Sequence, residues 1–291
     1  MVAYLQSQHG LSERGGCELL SQPRSTQRYQ PVVDGEERRL VAAMRSLALT
    51  RPRYGYRRIA AELRAQGWKV NRKRVERLWR REGLKIPSSP RKKRRVGHSG
   101  NGCARLRPAR RNHVWSVDFV SDRTDDGRAL KMLVILDEWT RVCLAIEVAR
   151  SIVAADVRLA LERTIERHGV PEHVRSDNGP EFVAKGLRQA LAERGIQSSY
   201  IEPGSPWENG YVESFNSKLR DELLEREVFS SILEARVMVE DWRVDYNERR
   251  PHSALGYVTP AAFAARDGTS GSATLRPTSR RTTDCLSPCG T

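Results

Sequence analysis

Within Val114-Trp-Ser-Val-Asp-Phe-Val120, the run that starts at Trp115 alternates apolar and polar side chains, the period of a half-buried strand. Asp118 lies inside it, where a carboxylate without a partner is costly. Downstream, Thr124-Asp-Asp-Gly-Arg128 reads as a turn, residues 129–136 as a second, almost wholly apolar strand, and 141–148 as a third. Residues 153–168 carry Val157, Leu161 and Ile165 at helical spacing and stop at Gly169 and Pro171. Residues 173–176 form a short strand ending at Asp177. A helix over 182–195 follows, using Leu187, Ala190 and Leu191, then a fifth strand over 196–201. Pro203-Gly-Ser-Pro-Trp207 is a turn, and the next helix carries Glu213. A last long helix is expected over 233–246. A three-strand meander followed by helix, strand, helix, strand, helix predicts an α/β fold. It is a mixed five-stranded sheet with helices on both faces, the ribonuclease H-like layout.

Upstream of that core the composition changes. The 291 residues are 38% hydrophobic and 30% charged, with a net charge of +15. Residues 1–111 hold 28 Lys+Arg against 8 Asp+Glu, a net of +20, and the remaining 180 hold 23 against 28, a net of −5. The front of the chain is therefore the polyanion-binding part. No apolar run approaches the roughly 18 residues that span a bilayer. Met1-Val-Ala-Tyr-Leu-Gln-Ser-Gln8 is too polar for a secretory signal, so a cytoplasmic location and no membrane partner are expected. Cys17, Cys103, Cys143, Cys285 and Cys289 are scattered with no His at ligand spacing. Neither a zinc site nor a disulfide framework is expected.

Five segments follow from this pass: 1–50, 51–86, 87–111, 112–266 and 267–291. The first is an N-terminal helical segment. Ser12 can cap a helix that Gly15 and Gly16 weaken, and residues 36–49 place Leu40, Val41, Met44 and Leu47 on one face. The second is a small all-α, helix-turn-helix-like module. Ile59 and Leu63 face inward, Gly67 stops the first helix, Asn71 caps the second, and Val75, Leu78 and Trp79 form its buried stripe. Arg72, Lys73, Arg74 and Arg77 lie on its outer face. Cations at a helix N-terminus oppose the helix dipole, and a DNA backbone lying there explains them. The third is a basic linker, with Arg91, Lys92, Lys93, Arg94 and Arg95 as further phosphate contacts. The fourth is the catalytic core with its C-terminal helices. The fifth, rich in Ser, Thr, Arg and Gly without periodicity, is expected to be disordered.

Three acids carry the chemistry: Asp118, Asp177 in Arg175-Ser-Asp-Asn-Gly-Pro-Glu-Phe182, and Glu213 in Pro206-Trp-Glu-Asn-Gly-Tyr-Val-Glu-Ser-Phe-Asn216. Each has an ordinary reading alone: a solvent-facing Asp beside Ser116, an Asp-Asn-Gly turn, a surface glutamate. Taken together, two carboxylates at strand ends and one on a helix can hold a pair of Mg²⁺ ions, which prefer oxygen ligands. Two such ions about 4 Å apart serve both the attacking and departing oxygens of phosphoryl transfer. Glu213, Ser217 and Arg220 share a helix face, so Arg220 can hold a DNA phosphate nearby.

With Tyr54-Gly-Tyr-Arg-Arg-Ile59 and Tyr246-Asn-Glu-Arg-Arg-Pro-His252, these motifs resemble the second-frame catalytic protein of the IS-three family of bacterial insertion sequences. That family groups with DDE transposases whose core is retroviral-integrase-like. The resemblance covers roughly residues 10–266. It implies Asp118, Asp177 and Glu213 as the catalytic and metal-binding triad, two Mg²⁺ or Mn²⁺ ions, and Arg220 as the basic residue that follows. The implied activity is strand cleavage and strand transfer at element ends, without a covalent enzyme intermediate. Implied partners are double-stranded DNA (terminal repeats and target), an upstream-frame protein as fusion or partner, and a second copy of the chain on DNA. The implied location is the bacterial nucleoid. A catalytically silent DNA-binding regulator and a ribonuclease H-like nuclease are the alternatives. Residues 267–291 have no counterpart in the family pattern, and the retroviral-type zinc module is absent.

Overall fold

The computed structural model describes residues 1–29, 35–85, 106–201 and 209–267. Arg91, Lys92, Lys93, Arg94 and Arg95, and the tail from 268 onward, lie outside the described residues. Residues Met1–Ile86 and Pro87–Thr291 form two compact units. No helix among the described residues is long and apolar enough to cross a membrane.

The first unit is all helical: α1 (Val2–His9), α2 (Glu13–Leu19), α3 (Arg24–Arg28), α4 (Gly35–Thr50), α5 (Tyr56–Ala65) and α6 (Arg72–Arg81). Ser12 caps α2, its Oγ accepting from Gly15 N–H at 3.1 Å. Gly16 weakens the helix locally but lets α1 close in: a Cβ there would meet Val2 Cγ1 at 3.2 Å. Asn71 caps α6, its Oδ1 accepting from Lys73 N–H at 3.0 Å. Leu40 and Met44 of α4 share one buried cluster with Ile59, Leu63, Val75, Leu78 and Trp79. The apolar core of this module thus takes in α4, upstream of residue 51.

The second unit holds β1 (Val114–Arg123), β2 (Ala129–Asp137), β3 (Cys143–Ala149), α7 (Ala154–His168), β4 (His173–Ser176), α8 (Pro180–Val183), α9 (Lys185–Glu193), β5 (Gln197–Tyr200), α10 (Gly210–Leu219), α11 (Ile232–Glu248) and α12 (Pro260–Asp267). The sheet order is β3-β2-β1-β4-β5. The β1–β2 and β2–β3 pairs are antiparallel, and β1–β4 and β4–β5 are parallel. This is the α/β, ribonuclease H-like arrangement expected from the order of elements.

Alternation along the strands splits the core into two layers. Trp115, Val117, Leu133 and Ile135 pack under α7, α8 and α9. Val120, Met132, Val134 and Leu136 pack under α10 and α11. Ser116 and Asp118 share the second face, since they alternate with Trp115 and Val117.

Two helices differ from expectation. The helix expected over 182–195 is broken at Ala184, whose backbone is extended (φ −55°, ψ 130°). Phe182 and Leu187 are five positions apart, which on one helix would turn them to different faces. The break buries both in one cluster with Leu191. The helix of Glu213 ends at Leu219 and continues as a π turn over Arg220–Leu224. That turn buries Leu223 and Leu224 and lets Glu222 meet Arg250 (Nη2 to Oε1, 2.5 Å).

Arg250 belongs to the Tyr246–His252 motif, whose members hold the core together. Tyr246 is buried against Phe215 and Trp242. Asn247 caps the outer strand β3, its Oδ1 accepting from Cys143 N–H and its Nδ2 donating to Cys143 O, both at 2.9 Å. Arg236 and Arg243 of α11 donate to Val148 O and Cys143 O. An edge strand blunted in this way is a poor template for a foreign strand.

Candidate active site

The parallel β1–β4 pair sets the geometry. Ser116 is level with Arg175, the last pair of that ladder; Asp118 lies two residues further along β1, and Asp177 follows the last residue of β4. Asp118 faces the side covered by α10, where Asn216 reaches it, and Asp177 lies near enough for its charge to act on Asp118. α10 packs against β1 and β2. Its stripe Val212, Phe215 and Leu219 is buried in the layer that contains Val120 and Val134. Glu213 stands beside that stripe, exposed, in the first helical turn.

Asp118 is largely buried and Asp177 is exposed. Two donors hold the Asp118 carboxylate, Phe119 N–H on Oδ1 and Asn216 Nδ2 on Oδ2, both at 2.8 Å. Its pKa is nonetheless pushed up to about 6, chiefly by burial and further by the charges of Asp177 and Glu213. Three acids from distant parts of the chain thus share one electrostatic neighbourhood. Their oxygens do not all converge within 4.8 Å. Among the described residues the group that does is His113, Glu172 and His173. Asp177 Oδ1 accepts from Gly179 N–H at 3.0 Å, closing a turn. Asn178 Nδ2 ties that turn to Ile201 O at 2.8 Å, just past β5.

Asn216 was not singled out by the sequence reading. It stands three residues after Glu213 and four before Arg220, on their side of α10, and is buried. Its Oδ1 is buried without a hydrogen-bond partner among the described residues. The legible signal was a polar amide inside the apolar stripe of Phe215 and Leu219. Arg220 is exposed and forms no ion pair among the described residues. Ser217 shares the expected face but bonds back to Glu213 O at 3.0 Å, within its own helix.

Directly beneath the acids lies a buried ionic layer. Arg175 Nη1 reaches Glu138 Oε1 at 2.6 Å and Oε2 at 2.8 Å, and Ser116 Oγ donates to Glu138 Oε1. Arg175 Nη2 donates to Leu106 O at 2.7 Å. Each strand therefore anchors itself two residues before its acid.

In the helical module the basic face of α6 divides. Arg74 Nη1 pairs with Glu36 and Arg77 Nη2 with Glu37, both at 3.1 Å, and Arg81 Nη1 pairs with Glu37 at 2.6 Å. A hydrogen bond from Arg81, with the nearby charges of Arg77 and Arg74, holds the Glu37 carboxyl below its usual range. Arg72 and Lys73 are exposed and make no ion pair among the described residues. The expectation that cations crowd the start of α6 for DNA alone needs this amendment: Arg74 is also held by an acid of α4.

Sequence comparison agrees with this architecture. Integrase core domain patterns match residues 108–206 and 194–260, and an HTH-like domain pattern matches 36–94. Together with the fold they define an integrase-core polynucleotidyl transferase carrying a helix-turn-helix-like module. The chain is 38% identical over 265 residues to the 31.7 kDa protein of insertion element IS407 of Burkholderia multivorans, covering 91% of this chain and 95% of that one. It is 40% identical over 255 residues to the 39.2 kDa protein of insertion element IS476 of Xanthomonas euvesicatoria, covering 88% and 73%. Over 225 residues it is 29% identical to transposase InsF for insertion sequence IS3A of Escherichia coli, covering 74% and 77%. The chain belongs to the IS3 family of insertion-sequence transposases.

Proposed function

We propose that Asp118, Asp177 and Glu213 are the catalytic carboxylates of this transposase, of the DDE type. They would hold two divalent cations, Mg²⁺ or Mn²⁺, for DNA strand cleavage and strand transfer at insertion-sequence ends. One arrangement carries the reading: the fold brings Asp177 and Glu213, from distant parts of the chain, near enough for their charges to act on Asp118. No cation of the described chain pairs with any of the three. Crowded acids without a base are an unfavourable arrangement that a divalent ion relieves.

The donors fit such an ion. All are oxygens, and the partnerless Asn216 Oδ1 adds a neutral one beside them. When bound, the ions supply Lewis-acid stabilisation of charge growing on the phosphate oxygens. The chain supplies the orientation. Phe119 N–H and Asn216 Nδ2 hold both oxygens of Asp118, and Gly179 N–H holds Asp177 Oδ1. Arg220, without an ion pair among the described residues, would offer its guanidinium to a backbone phosphate on the Glu213 side of α10.

Arg72 and Lys73 would be the principal phosphate contacts of the helical module, with Arg74 and Arg77 secondary because Glu36 and Glu37 already engage them. Arg91, Lys92, Lys93, Arg94 and Arg95 extend the basic track in sequence. The DNA partners are the terminal repeats and the target duplex. Assembly as a homo-oligomer with the upstream-frame protein, on the bacterial nucleoid, belongs to the same reading.

The test is cleavage and strand transfer of labelled element ends with Mg²⁺, with the upstream-frame protein added or withheld. Asp177→Asn and Glu213→Gln are each expected to lose about a thousandfold or more in rate, the several kcal/mol that metal-held charge stabilisation supplies. Binding to the same ends is expected to remain. Full activity in either variant removes that residue from the site.

A further inference from the structure

The spacing of His and Cys along the chain offers no zinc site, yet the fold assembles a set of ligands at the opposite end of the two acid-bearing strands. His113 directly precedes β1, Glu172 directly precedes β4, and His173 opens it. One ligand atom from each lies within 4.8 Å of the others. The parallel register makes them neighbours and the backbone locks the neighbourhood. Glu172 N–H donates to Asn112 O and His173 N–H to His113 O, each at 3.0 Å. Asn112, in the left-handed region at φ +58°, is fastened by Asp137 Oδ2 on its N–H and by His168 O on its Nδ2, both at 2.8 Å. The two imidazoles meet edge to face with centroids 5.4 Å apart. Both histidines are half-buried while Glu172 is exposed, so the set has a rigid inner side and an open outer one.

We infer that His113, His173 and Glu172 form a binding site for a borderline divalent ion of the Zn²⁺ class, separate from the catalytic carboxylates. Two imidazoles and a carboxylate suit Zn²⁺, Co²⁺ or Ni²⁺, whereas Mg²⁺ prefers oxygen donors. Three protein ligands leave a fourth position for solvent. Asp118 lies five residues along β1 from His113, roughly 16 Å at strand rise, so one ion cannot serve both sites.

The existing contacts say how the site accepts its ion. Arg110 holds Glu172 Oε1, while Oε2 faces His113 Nε2 at 3.9 Å. Ala109 N–H donates to His113 Nδ1 at 3.0 Å, which leaves the ring proton of neutral His113 on Nε2. Coordination through Nε2 moves that proton to Nδ1, so Ala109 N–H loses its acceptor. An ion here would also staple the start of β1 to the start of β4, the strands along which the chain reaches Asp118 and Asp177.

The experiment uses the full chain, stripped of divalent ions and titrated with Zn²⁺ against a chromophoric competitor. One Zn²⁺ per chain is expected. The pair His113→Ala with His173→Ala should weaken its affinity by more than about 100-fold, beyond the loss expected from an outer-shell partner. Asp118→Asn should bind Zn²⁺ as the parent does. Two readouts on the unmutated protein guard against a misfolded variant. Zinc-edge X-ray absorption should show two imidazole nitrogens, and amide exchange at Ala109 should quicken on Zn²⁺ addition. Equal affinity in the parent and the double-histidine variant, or an edge spectrum without imidazole scattering, overturns the site. Loss of Zn²⁺ binding in Asp118→Asn instead would assign the ion to the acids and also overturn it.

Discussion

The helical module and the integrase core treat charge in opposite ways. In the module, α6 is crowded with arginines, and acids of α4 meet most of those that face them: Arg74 on Glu36, Arg77 and Arg81 on Glu37. On α6, Arg72 and Lys73 make no ion pair among the described residues. In the core, the buried charges are matched, Arg175 on Glu138 and Arg250 on Glu222. Among the described residues Asp118, Asp177 and Glu213 gather without a cation beside them, and Arg220 stands unpaired two turns along α10 from Glu213. On the proposed reading, the bare cations of the module meet DNA phosphates and the gathered acids of the core meet metal cations.

That contrast can be broken in several places. The largest effect is expected in the buried layer beneath the acids. Glu138→Ala leaves Arg175 charged and buried, and should destabilise the core by about 3–5 kcal/mol. Replacing both, Glu138→Leu with Arg175→Met, should recover most of that loss in urea denaturation. A double variant as unstable as the single would mean that packing, and not the stranded charge, sets the cost.

Next comes the acid cluster. A carboxyl raised to about 6 holds its proton more tightly in the folded chain than in the unfolded one. Without divalent ions, the contribution of this carboxyl to core stability should therefore be fully present below about pH 4, fall as pH rises toward 6, and level off above. Asp118→Asn should remove that dependence, stabilising the chelator-treated core at pH 7.5 by on the order of 2 kcal/mol. It should do nothing at pH 4, and it should abolish strand transfer. Equal stability of variant and parent at pH 7.5 would show that the acids do not crowd one another.

Smaller effects separate the two halves of the α6 surface. Arg72→Ala with Lys73→Ala should weaken duplex binding and reduce the salt slope by about two phosphate contacts. Arg74→Ala with Arg77→Ala should reduce the slope less, with a stability cost under about 1 kcal/mol because the broken pairs are at the surface. Equal slopes for the two double variants would erase the distinction drawn between paired and unpaired cations.

Much of this was readable along the chain. The alternation of 114–120 and the apolar run of 129–136 specify strands whatever surrounds them. Ser12 and Asn71 start helices through local hydrogen bonds. Asp118, Asp177 and Glu213 stood out by their contexts and order. Asn216 was hidden because an amide in a helix looks the same whether it faces water or a buried carboxylate. The break at Ala184 was hidden because the apolar spacing of 182–195 fits one helix nearly as well as two. Arg175 read as part of a motif, with no sign that its partner is Glu138, brought over from the end of β2.

The order of residues, then, determined the periodic elements, the uneven spread of charge and the chemical types present at each end of the chain, because these depend on neighbours within a turn or two. Tertiary structure decided which distant groups meet. The parallel pairing of β1 and β4 leads the chain to Asp118 and Asp177, whose charges act on one another, and gathers His113, Glu172 and His173 where the two strands begin. Register is set by burying two apolar faces at once, and only the packed sheet does that.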